Sequence, residues 1–68
     1  MLNEERDREN MVRSLQLKVY FFSRRNENEQ IKNIEAAIQV ISTADIKKAV
    51  SLFNDIMIKT DHYIIEHY

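Results

Sequence analysis

Leu15-Gln16-Leu17-Lys18-Val19-Tyr20-Phe21-Phe22 admits two readings, and the fold depends on which one holds. Apolar and polar residues alternate from Leu15 to Val19, and aromatic side chains follow. That is the pattern of a half-buried strand. Read with the charged run before it, the same stretch continues a helix, with Met11, Val12, Leu15, Val19 and Phe22 on one face. Asn3 is a good N-cap, Glu4 and Glu5 suit a first turn, and nothing between Asn3 and Ser14 interrupts. A lone strand would also find no partner strand in this chain. Helix is therefore the favoured reading, over about residues 3–24, and a strand over 15–22 is the alternative.

The residues downstream are less ambiguous. Ile31, Ile34, Ile38 and Ile41 recur at helical spacing with Ala37 on the same face, which predicts a helix over about 27–42. From Ile46 a second stripe runs through Ala49, Val50, Phe53, Ile56, Met57, Thr60, Tyr63 and Ile64. It predicts a helix over about 44–66, capped by Ser42 or Thr43. So short a connection folds the two helices into a hairpin. Between the first and second helices lies Ser23-Arg24-Arg25-Asn26-Glu27-Asn28-Glu29, with no apolar residue. At about 100° per residue the apolar stripes on its two sides differ in direction by roughly 110°. A break near 24–28 follows, although no residue there forbids one long helix.

The expected fold is thus all-α: a helical hairpin, 27–42 and 44–66, with an N-terminal helix, forming one domain over 1–68 with no separate linker. The chain has no Gly and no Pro, against average usage of roughly 7% and 5%. Hairpin turns and phosphate-cradling loops lose their usual residues, and helices lose their usual stop.

At 68 residues the chain is near the lower limit for independent folding. Chains of this size lean on disulfides, a metal or a partner subunit. It has no Cys, so disulfides and thiolate metal sites are excluded, which leaves a partner. Dimerisation is the expected way to complete the bundle.

Net charge is −1, but it is unevenly placed. Residues 1–25 carry six basic side chains against four acidic ones, and residues 26–68 carry four against seven. No stretch approaches the roughly 20 apolar residues of a membrane span. The opening Met1-Leu2-Asn3-Glu4-Glu5 is acidic and polar, unlike a secretory signal. The expected setting is the cytoplasm, as a cellular protein or a viral one acting inside a cell.

Little in the sequence speaks for catalysis. His62 and Glu66 stand one helical turn apart, but two ligands do not make a metal site. The carboxylate pairs lie in polar surroundings that suit solvated helix faces, and no Ser or Thr has a His at informative spacing. No enzymatic activity, metal, cofactor or small-molecule substrate is expected.

The stretch Leu15–Phe22 is the most informative about function. Read as a helix, it is apolar on two sides. Leu15, Val19 and Phe22 can enter the chain's own core, while Leu17, Phe21 and Tyr20 point elsewhere. Ile58 and Ile65 likewise fall off the main stripe of the last helix. Large apolar side chains with no internal place mark an interface, unless the first helix is sandwiched between the other two. The candidate partner-binding residues are Leu17, Tyr20, Phe21, Phe22, Ile58 and Ile65, and Phe21→Asp is expected to weaken association. The expected partner is a second copy of the chain, another protein, or both, in a regulatory or chaperone-like role.

The strand alternative carries a different function. Strand 15–22 followed by two helices loosely resembles the ribbon-helix-helix family of DNA-binding regulators. That resemblance implies paired strands in the major groove, with Gln16, Lys18 and Tyr20 facing bases. Arg13, Arg24 and Arg25 would supply further nucleic-acid contacts. The chain departs from the family pattern in its charged N-terminal extension, its interhelical turn without Gly and its net negative charge. A nearly all-helical chain would exclude the ribbon.

Overall fold

The computed structural model describes residues 3–68 and contains three helices: α1 (Glu4–Ser23), α2 (Asn28–Thr43) and α3 (Ile46–His67). It is 88% helical, and no strand occurs among the described residues. Residues 15–22 lie wholly inside α1, which overturns the strand alternative and with it the ribbon arrangement. The physical reason is the one-sided burial of Met11, Leu15 and Phe22 at helical spacing, which a strand would split between two faces.

Each helix end is explained locally. The Asn3 side chain accepts the Arg6 N–H at 3.1 Å, and Glu4, Glu5 and Asp7 complement the dipole of α1. At the other end Asn26 takes φ +58°, the left-handed conformation that Asn tolerates in a chain without Gly. The Glu27 N–H then reaches the Phe22 carbonyl at 3.1 Å and the Asn26 N–H the Ser23 carbonyl at 3.3 Å, closing a Schellman turn. The turn falls where the polar spacer predicts it.

The cap of α3 differs from expectation. Asp45 holds it, accepting the Lys48 N–H at 3.0 Å. The Ser42 and Thr43 hydroxyls instead donate back to carbonyls of α2, at Ile38 (2.8 Å) and Gln39 (3.2 Å). These two residues still belong to helix, and a side chain inside a turn bonds backwards rather than forwards.

The helices pack as a rod of 38 × 17 × 17 Å. Arg8 near the start of α1 donates to the Ile41 carbonyl near the end of α2, so these two run antiparallel. Lys18 meets Thr60, and Phe22 meets Tyr63, so α1 and α3 run parallel. The core along the axis is Leu15, Phe22, Ile34, Ile41 and Ala49, all fully covered, with Met11 and Ala37 nearly so. Among the described residues no helix is long and apolar enough to cross a membrane.

Candidate docking surface

The α1–α3 pair presents one side to α2 and the opposite side to solvent. On α1, Val19 and Gln16 border α2 beside Ile38, whereas Ser14, Lys18 and Phe21 border α3. Leu17 lies one row further round, beyond the α3-facing row. On α3, the residues that meet α1 include Asn54, Asp61 and Tyr68, spaced by seven. Ile58 and Ile65 form the next row outward from these. Leu17 on one helix and Ile58 and Ile65 on the other therefore border the same open groove.

Their exposure is high. Leu17 is 69% exposed, Ile58 68% and Ile65 77%, and Tyr20 is 52% exposed beside Leu17. A few residues away Leu15 and Phe22 show none of their surface. The outer row of α1 reads Arg13, Leu17, Tyr20, Arg24, an apolar middle between two cations, and all four are exposed. Arg24 donates to the Tyr20 hydroxyl at 3.1 Å and lies over its ring, which holds both side chains in place.

Two other residues named from the sequence sit elsewhere. Phe22 is completely buried among α1 and α3 side chains, 5.9 Å from the Tyr63 ring centroid, and cannot meet a partner. Its place in the core stripe outweighs its place in the aromatic run. Phe21 is half-buried, with the Arg25 guanidinium 3.7 Å over its ring and Tyr68 edge-on at 6.0 Å. Phe21→Asp would therefore loosen the fold as well as any interface, and Leu17 is the cleaner probe.

The residues considered for nucleic acid are also dispersed. Lys18 is largely covered; its ammonium donates to the Thr60 hydroxyl at 3.0 Å and pairs with Asp61. It ties α1 to α3 and is not a free cation for phosphate. Arg25 is engaged on Phe21, and Gln16 lies on the side of α1 toward α2. Arg13 and Arg24 are exposed on the outer row.

One cluster has no counterpart in the sequence reading. Glu27, in the α1–α2 turn, accepts from the Tyr63 hydroxyl at 2.6 Å and the Tyr68 hydroxyl at 2.7 Å on the same carboxylate oxygen. Tyr63 stacks on His67 at 4.0 Å. The Tyr63 bond, then the Tyr68 bond, and lastly the positive field of His67 hold Glu27 below the usual carboxylate range. The same bond, with burial and the Glu27 charge adding to it, pushes Tyr63 up to about 12, and Tyr68 is raised for the same first reason. Glu27 stands at the N-cap of α2 yet makes no cap bond. A sequence shows a polar turn residue there; only α3 packing across the turn recruits it.

His62 and Glu66 pair at 3.3 Å on the exposed side of α3. Among the described residues no three His, Cys, Asp or Glu side chains converge as metal ligands would. No family model matches the chain, and no characterised protein or solved structure matches it either.

Proposed function

We propose that the chain is a protein-binding module that acts through helix–helix contact on the α1–α3 face, as a homodimer, in a regulatory or chaperone-like role in the cytoplasm. The supporting observation is the contrast between Leu17, Ile58 and Ile65, each more than two-thirds exposed, and a core already filled by Leu15, Phe22, Ile34 and Ile41. A chain this small has few apolar residues to spare, and a contiguous exposed group of them is the signature of an association surface. Parallel helices with a shallow groove between them accept a further helix by ridge-into-groove packing. No catalytic step is part of this reading.

Sedimentation of the wild type against the double variant Ile58→Asp/Ile65→Asp tests it, with circular dichroism as a control. Both positions are exposed, so helicity should persist while association is lost. Equal association of the two proteins would overturn the reading. So would a wild type that neither self-associates nor takes up any protein through this face.

A further inference from the structure

Resting on that reading, we infer that the occupant of the α1–α3 face is a second copy of this chain, related by a two-fold axis parallel to the helices, so that α1 of each copy lies on α3 of the other. Three observations carry it.

The first is charge. The outer row of α1 ends in cations, Arg13 and Arg24. The outward side of α3 around Ile58 and Ile65 carries Asp55 and Glu66, both exposed. Lys59 and His62 stand between these two acids, so the outward side of α3 is mixed in charge, with an acid at each end of the stretch 55–66. A copy turned so that α1 meets α3 matches opposite signs twice over. A two-fold axis perpendicular to the helices would set α1 on α1 and α3 on α3, like charge against like, which costs binding energy.

The second is height. α1 and α3 are parallel, and Lys18 meets residues 42 and 43 positions later. Both helices advance about 1.5 Å per residue, so a residue of α1 stands level with the one 42 further on. Rotation about an axis parallel to the helices keeps heights unchanged. Arg13 then comes level with the Asp55 of the second copy, and Arg24 with its Glu66. Leu17 and Tyr20 fall between the heights of its Ile58 and Ile65. Leu17 and Tyr20 of one helix thus meet the stretch from Ile58 to Ile65 of the other, which also carries exposed Lys59 and His62, with an ion pair at each end. Lower on the face the match is mixed, because Lys47 comes level with Glu5 and Lys48 with Arg6.

The third is size. A stable interface covers about 800 Å² per partner, which one side of a rod with 5076 Å² of surface supplies. Asp55 and Glu66 now hold Lys59 (3.0 Å) and His62 (3.3 Å), exposed pairs one turn apart. Such pairs are weak and give way readily to an arginine.

A charge swap tests the arrangement. Arg13→Glu/Arg24→Glu and Asp55→Arg/Glu66→Arg each set like charges across both halves of their own dimer. Each alone should dimerise at least about tenfold more weakly than the wild type. Mixed, they form a heterodimer in which every pair is again opposite, and the mass of a dimer should return in sedimentation. All four positions are exposed, and circular dichroism checks that helicity is kept. Variants that dimerise as the wild type does, or a mixture that stays apart, would overturn this arrangement. If Ile58→Asp/Ile65→Asp still abolishes association in that case, the docking face stands and only the axis is wrong. A wild type that stays monomeric while a different protein occupies the face in an Ile58- and Ile65-dependent way would overturn the second copy and the homodimer, and leave only the docking face standing.

Discussion

The two ends of the rod hold together by different means. Where the α1–α2 turn meets the end of α3, the contacts are aromatic and hydrogen-bonded: Phe21 edge-on to Phe22, Phe22 to Tyr63, and two tyrosines on one Glu27 carboxylate. Where the α2–α3 turn meets the start of α1, the core is mainly aliphatic, built from Met11, Ile41 and Ala49 with the half-buried Phe53 beside Met11, and Arg8 adds a bond to a backbone carbonyl. Aliphatic side chains fill space without fixing direction. Aromatic edges and hydroxyls demand a particular geometry. The aromatic end thus sets the register of α3 on the other two helices, and the aliphatic end supplies bulk.

The largest effect should come from the ring at the centre of the aromatic end. Phe22→Ala removes a fully buried side chain, and such truncations cost about 3–5 kcal/mol. Whole domains are stable by only about 5–15 kcal/mol. Urea titration should show a largely unfolded variant. A cost under about 1 kcal/mol, the range of a surface change, would mean that this end is not the anchor described.

Midway between the ends, Lys18→Met should cost about 1–2 kcal/mol by the same titration. It removes a largely covered ammonium from Thr60 and Asp61. Thr60 keeps its bonds to the Ile56 and Met57 carbonyls, so the loss should stop there. An unchanged midpoint would show that packing alone joins α1 to α3.

The smallest effect separates the ends by pH. Tyr63 is pushed up to about 12 in the fold, so its contribution is complete below the ordinary phenol range, near 10, and is lost as pH rises toward 12. Glu27 is lowered, so its contribution holds above the ordinary carboxylate range and fades as pH falls through its folded value. Melting temperature should therefore decline at both extremes, and Tyr63→Phe should flatten the alkaline arm. Amides around Met11 and Ile41 should exchange with the same pH dependence as in the variant. An alkaline arm unchanged by Tyr63→Phe would detach the phenol from the stability of that end.

Much of this was legible in the residues. The helix-period stripes at 31–41 and 46–64 gave their helices, and the polar run at 23–29 gave the break, because a turn between rotated apolar faces has to be polar. The ambiguity at 15–22 resolved toward helix for the same reason: one-sided burial. Three details were not legible. Asp45, not Ser42 or Thr43, caps α3, because α2 runs on to Thr43, two residues past its last apolar position at Ile41. Lys18 reads as a surface cation and became a tie between helices. Phe22 reads equally as core and as interface, since it belongs to both the stripe and the aromatic run.

By itself, the sequence determined the two helices of the hairpin, their order and the face of each that turns inward, while it left 15–22 open between helix and strand and did not forbid one long helix through 24–28. Periodicity and capping act within a few residues, so they are written locally. Only the tertiary structure decided that Glu27 gathers two tyrosines, that Lys18 turns inward, and that Leu17, Ile58 and Ile65 share one open side. Those facts depend on how parallel helices are offset along their axes, and side chains some forty residues apart in the chain settle that offset when they pack.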